Sequence, residues 1–235
     1  TQGTDAMYWL EARHNDNLNV SIASTLDKRL TAKSSLRAGF NLATNKGMHY
    51  QTINSLLGAT QMHNVNTYAI AHYPAASDKV QYDLNNRDAV LGKGDRLGYD
   101  YNILMNKAKV WGAYIEDFGP LHYSLSARMG YQSMQRDGKM QNGLAANNSY
   151  GKSKHAEFVD GGLKFGSTLN MGHGNTLIFG IGYEHRAPQA RNAFMAPEIN
   201  NNFVRNLKNE RVFSTELGYQ YENAWMHLNL NAYYS

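Results

Sequence analysis

The chain of 235 residues lacks cysteine and contains only four prolines. Without cysteine it cannot build a disulfide scaffold, a thiolate zinc site or a cysteine nucleophile. It also lacks any run of about 18 apolar residues, so no segment predicts a membrane-spanning helix. Charged residues are few (18%), and the formal net charge is only +4 with lysine and arginine scattered. This charge distribution argues against a nucleic-acid-binding surface.

What the chain does contain is tyrosine, asparagine and glycine, with 16 Tyr and 21 Gly. It is too aromatic and too weakly charged for a disordered protein. Such a composition is typical of many β-strands joined by polar loops. The first five residues are polar, without the charged start and apolar centre of a signal peptide. We therefore expect either a mature protein or a piece of a longer one.

Alternation of apolar and polar residues with a period of two is the strongest pattern in the chain. Between residues 121 and 132, apolar and aromatic side chains occupy the odd positions, whereas His, Ser, Arg, Gly and Gln occupy the even positions. The pattern predicts eight antiparallel strands and no helix. The predicted strands cover residues 20–26, 36–42, 99–118, 121–132, 159–169, 177–183, 212–221 and 224–234.

The predicted connections alternate between short and long. Short turns with Gly, Asn, Asp or Pro fall at 27–33, 117–120, 171–175 and 222–223. Long connections cover residues 54–98, 138–156 and 187–210. Compact soluble domains rarely contain structureless loops of this length. Outer-membrane barrels have this asymmetry, with short periplasmic turns and long extracellular loops.

Alternation alone also fits a soluble antiparallel β-sandwich, whose apolar face meets a core. Two features favour a membrane barrel. The alternating stretches run about ten residues, which matches a tilted membrane strand. Tyrosines share the apolar face near strand ends, as interface girdles require. The sequence thus predicts an all-β fold, an antiparallel up-and-down transmembrane β-barrel segment of about eight strands with short periplasmic turns and long extracellular loops.

No catalytic or metal constellation emerges from the polar residues. The nine histidines lack ligand spacing, and the oxygen-rich stretch 83–95 fails the EF-hand pattern. A solvated turn is the expected structure there. Serine, histidine and aspartate are frequent, but they form no recognisable nucleophile–base arrangement. We therefore expect no enzyme activity, no metal site and no cofactor.

Several short motifs occur together in the second half of the chain. They are RAP at 186–188, AP at 196–197, NLKNE at 206–210 and STELGY at 214–219. Further pieces occur at 8–14, 56–58, 94–102 and 147–153. Their order and spacing resemble the β-barrel of TonB-dependent outer-membrane receptors of the Bacteroides type. The resemblance extends over nearly the whole chain, although each motif is short.

The resemblance implies an internal barrel segment over residues 1–235, without plug domain, TonB-binding segment or barrel C-terminus. Family barrels have about 22 strands, so eight strands would form about a third of the wall. The chain would begin inside an extracellular loop. The parent protein would be an active importer of a scarce nutrient in the Gram-negative outer membrane. Its partners would be outer-membrane lipid, its own plug domain, the TonB complex reached through the parent chain, and an unknown nutrient ligand, with no nucleic acid.

The polar face of the predicted sheet supplies the candidate site residues, which we expect to face the lumen. These residues are His122, Arg128, Gln132, Asp160, Lys164, Glu184, Glu216 and Gln220. In the resembled family they would face the plug and the substrate path. The aromatic and Asn-rich segment 194–203 is expected to contact a ligand in the external vestibule.

Two other interpretations remain open at this stage. One is a complete small eight-stranded outer-membrane barrel with a structural or adhesive role, because eight strands can close a barrel. The other is a soluble carbohydrate-binding β-sandwich. The nature of the substrate cannot be read from the residues in any of the three cases.

Overall fold

The computed structural model describes residues 5–235, and eight long strands dominate it. Each long strand pairs antiparallel with its neighbours in sequence, so that the sheet is up-and-down. The all-β antiparallel prediction with eight strands is confirmed. The strands are β1 (Leu10–Arg29), β2 (Ser34–Ser55), β3 (Arg96–Phe118), β4 (Leu121–Gly138), β5 (Ala156–Gly172), β6 (Asn175–Arg186), β7 (Glu210–Glu222) and β8 (His227–Tyr234).

The first two strands are much longer than predicted, at 20 and 22 residues. Their ladder continues past the apolar alternation through polar pairs such as Asn15 with His49 and Asn19 with Asn45. In this part both faces carry polar groups, so the period of two is invisible in the sequence. β1 itself begins at Leu10.

The last strand begins later than predicted, at His227 rather than at residue 224. The Oδ1 atom of Asn223 accepts hydrogen bonds from the backbone N–H groups of Trp225 and Met226, both at 2.8 Å. These bonds hold residues 223–226 in a turn. The other short turns cover 30–33, 119–120 and 173–174, and the predicted alternation of short and long connections is confirmed.

The long connections 56–95, 139–155 and 187–209 lie together at one end of the sheet, and we call them the loop cap. The sequence predicted no helix, but the loop cap contains the one-turn helix α1 (Thr67–Ile70). Asn66 caps α1, because its Oδ1 accepts from the N–H groups of Tyr68 and Ala69 at 3.1 Å. No helix within residues 5–235 is both long and apolar enough to cross a membrane.

Further short elements give the loop cap its shape. Met62–His63 pairs with Val90–Leu91, and Gly151–Lys152 pairs with the end of β4. Such local elements satisfy backbone polar groups that an irregular loop would leave unpaired. The 3₁₀ turns are Asp78–Val80, Leu84–Asn86, Gly143–Ala145 and Ala190–Asn192.

The hydrophobic core of the described chain lies at the loop-cap end. One cluster contains Ile53, Leu56, Met62 and Leu97. A second cluster contains Met134, Ala193 and Phe194, with Phe203 packed against it. Both clusters join strand ends to loop-cap residues, so the core fixes the loop cap on the sheet.

Below the loop cap the sheet is a single layer with two different faces. Side chains of directly paired residues share a face, and the register therefore assigns each strand position to one face. One face, the polar face, contains Asn17, Asn41, Lys109, Arg128, Lys164, Glu216 and Asn229. The opposite face, the apolar face, contains Val20, Leu42, Val110, Met129, Val159, Leu163, Ile181, Leu217 and Leu230.

The apolar face is bare over most of the sheet. Ile22 is 65% exposed, Met129 is 62% exposed and Leu163 is 60% exposed. A soluble antiparallel sheet buries its apolar face, and a soluble monomer rarely exposes an apolar patch above a few hundred Å². Nothing within residues 5–235 forms a second sheet over this face.

Candidate functional site

Four of the eight predicted lumen residues meet in one charged network on the polar face. The Nη1 of Arg128 lies 2.5 Å from Oδ1 of Asp160, and its Nε lies 3.6 Å from Oε1 of Glu184. The Nζ of Lys164 lies 3.2 Å from the same Glu184 oxygen. Arg186 contacts the other carboxylate oxygen of Glu184. Three cations thus share two carboxylates, across β4, β5 and β6.

Glycines beside this network provide the space that its long side chains occupy. A Cβ at Gly130 would lie 2.8 Å from Oδ1 of Asp160, and a Cβ at Gly162 would lie 3.1 Å from Cγ of Glu184. These positions sit opposite each charged residue in the register, at Gly130–Asp160 and Gly162–Glu184. Glycine at these positions of the polar face therefore leaves room for the charged side chains.

The remaining predicted lumen residues lie apart from the network. The Nδ1 of His122 lies 2.5 Å from Oδ1 of Asp117, beside the short turn at the end of the sheet opposite the loop cap. Glu216 and Gln220 lie on the polar face of β7, opposite Gly180 and Thr176 of β6.

Gln132 shares the polar face but is covered, with 7% of its surface exposed. Its Nε2 donates to the carbonyl of Pro188 at 2.8 Å, which places it under the loop cap. The alternation of the strand predicted the face on which Gln132 lies. It could not predict that the loop containing Pro188 covers this side chain.

Among residues 5–235, the largest fully buried side chain is one that the sequence did not single out. Arg136 of β4 is 2% exposed. Its Nη1 donates to the carbonyl of Ser149 at 2.7 Å and to Oδ1 of Asn201 at 2.6 Å, and its Nε donates to the carbonyl of Pro197 at 2.6 Å. Its guanidinium lies over the ring of Tyr101 at 4.9 Å. One side chain thus ties two loops of the loop cap to β3 and β4.

The environment of Arg136 is unusual because its partners are neutral oxygens. Burial lowers the pKa of Arg136 to about 10. Hydrogen bonds from a charged donor are stronger than neutral ones, and three of them compensate for removal of the guanidinium from water. Arg136 is therefore a residue that positions the loop cap.

A cavity of about 270 Å³ opens between the loop cap and the ends of β1, β2 and β3, and we call it the cap pocket. It is the strongest candidate for a ligand site, because aromatic rings, charged groups and amides converge there. The charged and aromatic residues that line it are Trp9, Glu11, Arg13, Tyr82, Tyr99 and Glu198. Gln51, Asn66 and Asn142 supply the amides.

The charges of the cap pocket are unevenly paired. The Nη2 of Arg13 lies 3.3 Å from Oε1 of Glu11. Glu198 forms no hydrogen bond and no ion pair with any residue between 5 and 235. Burial raises the pKa of the Tyr82 hydroxyl, and the carboxylates of Glu11 and Glu198 raise it further. The pKa of Tyr99 is raised by burial first and by Glu198 next.

The segment 194–203, expected to contact a ligand, divides between two roles. Phe194 is buried, and its ring centroid lies 4.7 Å from that of Phe203, inside the second core cluster. Both rings therefore help to build the loop cap. Glu198 and Ile199, between them, line the cap pocket. The sequence pattern did not predict which residues of this segment pack inside the loop cap and which line the cap pocket.

A larger depression of about 680 Å³ lies on the apolar face. Gly112, Ala127 and Gly161 form its floor, and Val110 and Leu163 stand at its rim. Three small residues contribute to it: Gly112 pairs with Ala127, and Gly161 lies two positions before Leu163, the partner of Ala127 on β5. It offers few polar groups that could orient a ligand, so we regard it as part of the apolar face.

The oxygen-rich stretch 83–95 is a set of turn caps. Oδ1 of Asp83 accepts from the N–H groups of Asn85 and Gln141 at 3.0 Å. Oδ2 of Asp95 accepts from the N–H of Gly92 at 2.8 Å. Over residues 5–235, no three His, Asp or Glu side chains lie close enough to hold a metal ion.

Comparisons with protein-family models, with curated proteins and with solved structures found no match to this chain.

Proposed function

We propose that this chain forms part of the wall of an outer-membrane β-barrel importer of the TonB-dependent receptor type. The observation that carries the proposal is the bare apolar face, to which all eight strands contribute. Because lipid tails replace the missing second layer, a membrane explains why large aliphatic side chains are exposed on every strand. The charged network then faces the lumen.

The length of the apolar stretch fits this assignment. On β4, Tyr123 and Tyr131 bracket Leu125, Ala127 and Met129 on the apolar face. Eight residues of antiparallel strand extend about 27 Å, and a tilt of about 40° reduces this to about 21 Å along the membrane normal. The apolar band of such barrels is about 25 Å tall with aromatic residues at both borders.

The two ends of the sheet fit the two sides of such a membrane. Short turns face the periplasm, and the loop cap faces the outside, where it forms part of the vestibule. In the mechanism that the motif resemblance implies, nutrient binds at the outer loops, the plug responds, and TonB pulls on the plug. The wall supplies shape and binding surface, and it makes or breaks no bond.

Two alternatives fit the geometry less well. A closed eight-stranded barrel needs β1 to pair with β8, but β1 pairs with β2 alone and β8 pairs with β7 alone among residues 5–235. A soluble β-sandwich needs two packed sheets, whereas the eight strands form one.

The test is the location and mass of the native gene product. An antibody against residues 56–95 is applied to separated outer membranes, inner membranes and soluble fractions. We expect the signal in detergent-extracted outer membranes, on a polypeptide much heavier than 26.4 kDa. A membrane band near 26.4 kDa would favour the small closed barrel. Signal confined to the soluble fraction would overturn both barrel assignments.

A further inference from the structure

Cations stacked on aromatic rings recur at the loop-cap end of the sheet. The guanidinium of Arg96 lies 4.1 Å from the ring centroid of Tyr50, and the Nζ of Lys79 lies 4.5 Å from that of Tyr73. The pair formed by Arg136 and Tyr101, described above, is a third case. Such contacts are attractive, and they strengthen when water is excluded from them. The loop cap therefore offers ring faces that bind cations.

Trp9, Tyr82 and Tyr99, the three rings of the cap pocket, differ from those rings. No cation of the described chain stacks on any of them. Tyr99 contacts the ring of Tyr101 at a centroid distance of 5.8 Å, which leaves its other side toward the pocket. The hydroxyls of Tyr82 and Tyr99 donate to no acceptor within residues 5–235, so their polar ends are open as well.

The charge of the cap pocket is negative once internal pairs are removed. Arg13 and Glu11 neutralise each other through two contacts of 3.3 Å, from Nε and Nη2 to the same oxygen. Glu198 stands alone and leaves one uncompensated carboxylate. Burial is the main cause that raises the pKa of Tyr82, of Tyr99 and of Tyr101, the last to about 12, and the carboxylate of Glu198 raises each of them further.

We propose, building on the transport function above, that the cap pocket binds ligands through a cationic group held between Glu198 and its aromatic rings. An ammonium or a guanidinium fits both features, since it pairs with the carboxylate and is attracted to a ring face. Pockets for drug-sized ligands have volumes of about 300–1,000 Å³, so a pocket of about 270 Å³ suits one basic side chain or a small amine. The ligand class is therefore a basic peptide or an amine.

The test uses three tripeptides blocked at both ends, Ala-Lys-Ala, Ala-norleucine-Ala and Ala-Glu-Ala, so that only the central side chain is charged. Their binding to the native gene product in detergent is measured by titration calorimetry. We expect Ala-Lys-Ala to bind at least about fivefold more tightly than the norleucine peptide, and Ala-Glu-Ala to bind most weakly. Equal binding of the three, preference for Ala-Glu-Ala, or no binding at all would overturn the cationic class.

Two substitutions in the pocket should act in opposite directions. Glu198→Gln removes the unpaired carboxylate and should weaken binding of Ala-Lys-Ala by about fivefold, which corresponds to an ion pair of about 1 kcal/mol. Arg13→Gln removes a competing cation and frees Glu11, so it should strengthen binding by a few fold. Damage to the fold would weaken binding in both variants. Unchanged binding in Glu198→Gln would contradict the proposal.

A matched control lies at the other end of the sheet. Glu222 is exposed beside the turn 223–226, and Glu222→Gln removes the same charge far from the pocket. We expect it to leave binding of Ala-Lys-Ala unchanged. The peptide experiments could contradict the expected preference while the protein still fractionates with outer membranes. That result would overturn the ligand class and leave the transport proposal intact.

Discussion

The guanidinium of Arg136 lies over the ring of Tyr101, 4.9 Å from its centroid, where β4 meets β3 beneath the loop cap. This pair lies where the single-layer sheet meets the packed loops of the loop cap. The same guanidinium donates to Ser149, Pro197 and Asn201. Arg136 thus holds the loop cap on the sheet together with the two core clusters.

Replacing Arg136 by Ala should therefore destabilise the loop cap. The change leaves two carbonyls and one amide oxygen without their donor, in a place that water hardly reaches, at a cost of about 3 kcal/mol in the free energy of unfolding. Protease cleavage within residues 139–155 and 187–209 should become faster. Arg37→Ala is the control, because its pair with Asp27 is exposed and worth under about 1 kcal/mol. An equal loss in the free energy of unfolding in both variants would contradict the special role of Arg136.

Gly138 and Gly112 form a second matched pair. A Cβ at Gly138 would collide with the backbone oxygen of Ser149 and press on Nη1 of Arg136. Gly138→Ala should lower the free energy of unfolding by about 1–3 kcal/mol through overpacking. A Cβ at Gly112 would meet only the Arg37 carbonyl oxygen, at 3.8 Å. Gly112→Ala should stay within about 0.5 kcal/mol. Chemical denaturation of both variants provides the measurement, and a neutral Gly138→Ala would speak against close packing there.

Glu184→Gln tests whether the cations of the polar face need the carboxylate of Glu184 for stability. Arg128, Lys164 and Arg186 all contact the Glu184 carboxylate, so its neutralisation leaves three cations beside the single carboxylate of Asp160. We expect thermal unfolding at a lower temperature, with a loss of about 1–3 kcal/mol. Glu216→Gln on the same face should cost less than about 0.5 kcal/mol, since Glu216 forms no ion pair with described residues. Similar losses in the two variants would argue against a coupled network.

Much of the sheet could be predicted from the sequence, because in a strand the period of two alone determines which side chains share a face. The register places Arg128, Asp160, Lys164 and Glu184 on one face, as the alternation predicts. The upper parts of β1 and β2 escaped prediction because Asp16 and Asn17 are both polar on opposite faces. Such a strand shows no alternation between apolar and polar residues.

The cap pocket and Arg136 escaped prediction for a different reason. Each depends on contacts between residues far apart in the chain, such as Arg136 with Pro197 and Tyr82 beside Tyr99 in one cavity. Loop packing of this kind has no periodic signature. Arg136 differed from the other polar-face residues only in standing near a strand end, which says nothing about what covers it.

The central claim is that lipid covers the apolar face, and the absence of cysteine in the chain makes a direct test possible. Single cysteines at Leu125, Ser126, Ala127 and Met129 of β4 receive a spin label in the protein within lipid bilayers. Collisions with dissolved oxygen report lipid, and collisions with a water-soluble nickel chelate report water. We predict high oxygen and low nickel accessibility at 125, 127 and 129, and the reverse at 126. Nickel access at 125, 127 and 129 equal to that at 126 would contradict the membrane assignment.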